Sequence, residues 1–84
     1  MKTVTEQQFK AIIAAVFGVE PSVIVDGLRP GQIPAWDSLG HLSLVSELER
    51  SFSFTFSMEE SLGINSVADI RAVLAKHGVT IAPV

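Results

Sequence analysis

Between Val19 and Trp36 the chain carries Pro21, Gly27, Pro30, Gly31 and Pro34, a spacing that forbids both a continuous helix and a central strand. So long a loop is unusual in a small domain and has to be held down. Val23, Ile24, Val25, Leu28 and Ile33 can pin it to a core, with a short helical turn opening at Pro21-Ser22. A pinned crossover lets the two segments it joins run in directions that a tight turn would forbid.

Both flanking segments read as helices. Before the loop, Phe9, Ile12, Ile13, Val16 and Phe17 recur at i, i+3, i+4, i+7 and i+8, one wide apolar face over 5–17. Thr3 or Thr5 can cap it, Thr3 with Glu6 has the spacing of a capping box, and Gly18 is a natural stop. After the loop, 38–52 places Leu42, Val45, Leu48 and Phe52 on one stripe, broadened by Leu44, with Ser43, Glu47 and Arg50 opposite. Gly40 costs that helix about 1 kcal/mol relative to alanine, and a small residue there would leave space for a partner to approach.

The run Ser51-Phe52-Ser53-Phe54-Thr55-Phe56-Ser57 alternates as a strand would, but a lone strand in a helical domain has nothing to pair with. We therefore expect Phe52 to finish the helix and Phe54 and Phe56 to tuck an extended connector into the core. A short helix follows over 58–62, then a last helix over 66–77 with Ser66 and Asp69 in capping-box spacing and Val67, Ile70, Val73 and Leu74 as its apolar face. Residues 79–84 are expected to be a loosely held tail. The predicted fold class is all-α: three main helices, one short one and a long first loop in a single domain over 1–84.

With 84 residues the chain removes only roughly 60–65% of its unfolded surface from water, which leaves little room for a deep catalytic cleft. An apolar fraction of 48% with five Phe is ample for a compact core. There is no cysteine for a disulfide or thiolate metal site, no run long enough to span a bilayer and no secretory signal, so the expectation is a soluble, cytoplasmic monomer without a metal. Net charge is −3 and the six basic residues are scattered, which makes nucleic acid a poor partner.

The chemistry-bearing residues sit where the loop ends, at Trp36-Asp37-Ser38-Leu39-Gly40-His41-Leu42. Asp37 is a good N-cap, and Ser38 then falls at the first helical position, beside unpaired backbone N–H groups that suit a phosphate. Asp37-Ser38-Leu39, followed by Leu42, Val45, Leu48 and Phe52, resembles the prosthetic-group site of acyl carrier proteins, and the similarity runs from about Glu6 to about His77. The resemblance implies that Ser38 carries 4′-phosphopantetheine through a phosphodiester and that the arm's thiol holds acyl groups as thioesters. It also implies a phosphopantetheinyl transferase, with Asp37 near its metal site, and acyl-loading, acyl-transferring or condensing enzymes as partners. Trp36, Leu39, His41, Leu42 and Glu47 form the expected partner surface.

Other readings of these residues stand beside that one. Ser38 is otherwise an ordinary helix-start residue, and the chain an unmodified interaction module with the same fold. Trp36 can cover the helix end as a hydrophobic staple or contact the arm. His41 with Asp37 and Ser38 can be read as a hydrolase triad, although adjacent acid and serine on a small helical scaffold suit it poorly. Phe52, Phe54 and Phe56 are core, or else line a partly enclosed acyl chain. The second helix lacks the strong acidity of many fatty-acid-synthesis carriers, having Glu47 and Glu49 offset by Arg50 and the small or polar Gly40, Ser43 and Ser46. The pattern looks more like freestanding carriers of specialised polyketide, peptide or unusual acyl or aminoacyl pathways.

Overall fold

The computed structural model describes residues 2–83. In chain order these form strand β1 (Lys2–Thr5), helix α1 (Glu6–Phe17), a 3-10 turn (Pro21–Val23), helix α2 (Ser38–Phe52), the short helix α3 (Met58–Leu62), helix α4 (Val67–Lys76) and strand β2 (Val79–Ala82). The described residues are mostly helical, with four α-helices and one short parallel strand pair. Among the described residues no helix is long and apolar enough to cross a membrane.

The strand pair corrects the all-helical expectation, and with it the loose tail, of which Val84 lies outside the described residues. β1 and β2 run parallel, with Lys2 opposite Val79, Thr3 opposite Thr80, Val4 opposite Ile81 and Thr5 opposite Ala82. Each strand alone is too short to show a period. Their β-branched residues become strands because the fold brings the two ends of the described chain side by side. Val79 is buried, and Val4 and Ile81 pack against the core from the same ribbon.

Of the two expected caps the structure uses Thr5, and the capping box forms two residues beyond Thr3 and Glu6: the Gln8 amide donates to Thr5 Oγ1 at 3.0 Å, and the Thr5 amide donates to Gln8 Oε1 at 2.9 Å. α1 then buries Phe9, Ile13, Ala14 and Phe17.

On α2 the buried stripe is Leu44, Leu48 and Phe52, whereas Leu42, expected at its head, is 62% exposed. Residues two apart stand about 200° around a helix, so Leu42 and Leu44 cannot both face the core. Beyond Phe52, Ser53 takes a left-handed φ of 55° and ends α2. The connector then seats Phe56 in the core and leaves Phe54 half-buried against the His77 ring, with 4.4 Å between centroids.

The long loop is pinned by Ile24, Leu28 and Trp36, all buried, while Val25 points outward at 52% exposure instead of helping. The loop also closes the start of α4: the Val67 amide donates to the Leu28 carbonyl at 3.0 Å and the Ala68 amide to that of Asp26 at 3.1 Å. Ser66 Oγ accepts from the Asp69 amide at 3.2 Å, but the Asp69 carboxylate reaches past the cap to the Asn65 amide, 2.9 Å away. These bonds meet the demand of a helix end for outside partners.

Two ionic ties hold the helices in place. Arg71 on α4 pairs with Glu6 at the start of α1 and with Asp26 in the loop at 2.7 Å, and its guanidinium lies 4.7 Å above the Phe9 ring. Replacing Arg71 with alanine is expected to cost roughly 2 kcal/mol, read as a lowered urea midpoint at neutral pH, because one side chain serves three elements.

Glu60 ties α3 to α4. It accepts from the Ser57 amide at 2.9 Å, from Lys76 Nζ at 3.0 Å and from the His77 ring at 3.0 Å. The Ser57 hydrogen bond first, then Lys76 and His77, lower its pKa from 4.5 to about 2. A carboxyl depressed on folding stabilises the native state above its unfolded pKa and loses that contribution as pH falls through the folded one. Unfolding free energy should therefore drop between about pH 4.5 and about pH 2, and Glu60→Gln should flatten that slope.

Candidate functional site

The end of the loop determines where α2 begins. A turn in which the Trp36 amide donates to the Ile33 carbonyl at 3.1 Å, and the Gly31 amide to the Trp36 carbonyl at 2.9 Å, drives the indole inward. The next residue, Asp37, is extended and caps the helix: its Oδ1 accepts from the Gly40 amide at 2.8 Å. The His41 amide donates to the Asp37 carbonyl at 2.8 Å, closing the first turn. Ser38 is the first helical residue and is exposed, and among the described residues its hydroxyl has no hydrogen-bond partner.

Gly40 has a role other than leaving room for a visitor. A Cβ built there would fall onto the Ala35 carbonyl oxygen, within the chain's own loop, and would stand 3.3 Å from the capping Asp37 carboxylate. The loop thus comes down directly on the first turn of α2, an approach that a hydrogen permits and a methyl does not.

Trp36, expected on a partner-facing surface, is instead fully buried. Its ring stacks on Phe17 with 5.2 Å between centroids and lies nearly parallel to the His41 ring at 6.4 Å. Its indole N–H donates to His41 Nδ1 at 3.1 Å, and His41 Nε2 lies 2.9 Å from the Ser61 carbonyl at the end of α3. An indole nitrogen only donates and a carbonyl only accepts, so His41 is held as the neutral Nε2–H tautomer, accepting from Trp36 and donating to Ser61. Both ring nitrogens are engaged away from Ser38 and Asp37. The histidine is therefore a half-buried bridge between α2 and α3, and the triad geometry is not assembled.

Of the remaining expected surface residues, Leu39 and Leu42 stand beside Ser38 at 73% and 62% exposure. Glu47 shares a second open groove with Leu42 but does not stand beside Ser38. At 100° and 1.5 Å per residue it lies about 180° around the helix and roughly 13 Å along it from Ser38. There its carboxylate is taken by Arg50 at 2.6 Å and by Ser51 Oγ at 2.9 Å, and the Arg50 hydrogen bond, followed by that of Ser51, lowers its pKa.

The sequence reading left out Met58 and Leu62, which α3 exposes at 80% and 74%. Their i, i+4 spacing marks one apolar face, but α3 buries none of its own residues, so nothing local signalled that this face stays exposed. Leu62, Leu42 and Pro30 rim an open groove of about 660 Å³ that Ser38, His41 and Ser61 also line, with Trp36 at its floor. The site is thus an exposed serine at a helix N-terminus, next to a shallow, largely apolar groove.

No protein-family model matches the chain, and no curated protein matches its sequence.

Gly40→Ala should cost about 1–3 kcal/mol or more, because the clash is with backbone and no side chain can rotate away to relieve it. Thermal unfolding checks the loss. A drop in amide protection concentrated in the first turn of α2 would locate it at the Asp37 cap.

Proposed function

We propose that the chain is an acyl carrier domain, bearing 4′-phosphopantetheine on Ser38 and carrying acyl groups as thioesters for a specialised polyketide, peptide or unusual acyl or aminoacyl pathway. The observation that carries this reading is the placement of Ser38: exposed, without a hydrogen-bond partner for its hydroxyl among the described residues, and first in a helix whose cap is supplied by the neighbouring Asp37. The resemblance of Asp37-Ser38-Leu39 and the apolar positions after it to the carrier-protein site supports the same assignment.

The chain's own residues have positional roles. The start of α2 would hold a phosphodiester on Ser38 Oγ, whose negative charge the positive end of the helix dipole would favour. Asp37 keeps that end formed by holding the Gly40 amide, and its carboxylate would assist the transferase's metal. When bound, the arm supplies a thiol for thioester chemistry. Loading, transferring and condensing enzymes would read the exposed Leu39 and Leu42 of α2 together with Leu62, which lines the groove beside Ser38 with Leu42. His41 and Trp36 act behind that surface by fixing α2 against α3.

Incubation with coenzyme A and a broad-specificity phosphopantetheinyl transferase should add one phosphopantetheine by intact mass to the wild type and none to Ser38→Ala. Failure of the folded wild type to gain mass with several transferases would sink the carrier assignment. The alternative is then an unmodified interaction module, whose partner binding Ser38→Ala would leave intact.

A further inference from the structure

The ties that fasten α3 to its neighbours are polar. None of its five residues is buried, and a helix this short does not hold together by itself. Lys76 Nζ and the His77 ring, each 3.0 Å from the Glu60 carboxylate, moor it to the end of α4. His41 Nε2, 2.9 Å from the Ser61 carbonyl, moors it to α2. Water can take the place of each of these partners, so parting them costs little. The buried anchors lie just outside the segment, Phe56 before it and Ile64 after it, at 7% and 2% exposure. Opening α1, α2 or α4 would instead expose Phe9, Ile13, Leu48 or Leu74, all fully buried. α3 thus stands at the low end of an uneven distribution of stability.

α3 also supplies one wall of the groove beside Ser38, through Ser61 and Leu62. The other walls are pinned. Gly31 is held by its amide on the carbonyl of Trp36, whose indole is fully buried, and α2 is held by the buried Leu44 and Leu48. We infer that residues 57–63 form a lid on this groove: α3 swings out about Phe56 and Ile64 while the other helices stay folded, and the groove widens on that side alone. His77 keeps its stack on Phe54 when Glu60 leaves it, and His41 keeps its bond from Trp36 when Ser61 leaves. The core therefore stays closed beneath the open lid. The inference goes beyond the carrier reading and holds whether or not Ser38 is modified.

Native-state hydrogen exchange of the unmodified protein tests it. The Ser61 and Gly63 amides, which donate to the Ser57 and Glu59 carbonyls at 3.0 Å, report the lid, and the Leu48 and Leu74 amides report the rest of the fold. The lid amides should exchange more slowly than unstructured ones, yet at least roughly tenfold faster than those of Leu48 and Leu74. Low urea should speed Leu48 and Leu74 and leave the lid unchanged, because opening the lid exposes little surface. Arg71→Ala, whose lost partners Glu6, Asp26 and Phe9 all lie outside α3, should speed Leu48 and Leu74 roughly 30-fold and again leave the lid unchanged. Glu60→Gln should speed Ser61 and Gly63 about tenfold. Lid amides that follow Leu48 and Leu74 in urea or in Arg71→Ala would overturn the proposal, as would lid amides with no protection, since no closed state would then exist. The urea series on the wild type decides between these outcomes should a variant not fold.

Discussion

Burial of the Trp36 indole constrains everything around it. A large ring with one polar hydrogen can be placed in a core only where that hydrogen finds an acceptor, since an unpaired buried donor costs about 1–3 kcal/mol. Here the acceptor is His41 Nδ1, which leaves the other ring nitrogen to bond the Ser61 carbonyl. One buried side chain thereby sets a tautomer, ties α2 to α3, and stations Asp37 and Ser38 at the surface immediately beyond it. The loop earns its length in the same way. It carries Ile24, Leu28 and Trp36 into the core and lends the Asp26 and Leu28 carbonyls to the start of α4.

The tight fit of loop and helix at Gly40 follows from that anchoring. With Trp36 turned inward, the Ala35 carbonyl is brought onto the first turn of α2, and only a residue without a Cβ can occupy the facing position. Elsewhere the ties are electrostatic. Arg71 joins α1, the loop and α4, while Glu60 joins α3 to α4. α3 is short and buries none of its own residues, so it depends on these outside bonds. Its exposed Met58 and Leu62 are thus held by polar contacts on one side and the His41 bridge on the other.

For the proposed function, the consequence is a separation of roles within one helical turn. Asp37 and Gly40 build the helix start, Ser38 faces outward from it, and His41 works inward. A serine at a well-formed helix N-terminus is exposed to a modifying enzyme and favourable to the charge of a phosphodiester. Leu42 from α2 and Leu62 at the end of α3 line the groove beside it together only after α3 has docked.

Much of this was determined locally. The helical period marked Phe9, Ile13, Leu44, Leu48, Ile70 and Leu74 as core candidates, and Pro and Gly spacing marked the loop. Asp37 as cap and Ser38 as first helical residue also follow from neighbours in sequence, because capping involves residues three apart. What required the tertiary structure is non-local. β1 and β2 are invisible separately, since each four-residue strand gains its hydrogen bonds from the other end of the chain. With Thr3 paired in β1, the capping box is Thr5 with Gln8 in place of Thr3 with Glu6. Trp36 faces the core and His41 bridges to Ser61 because α2 and α3 come together across twenty residues of chain, a juxtaposition that no local period encodes. Short-range sequence determines where a helix starts and which stripe is apolar; only packing decides which polar group meets a buried donor.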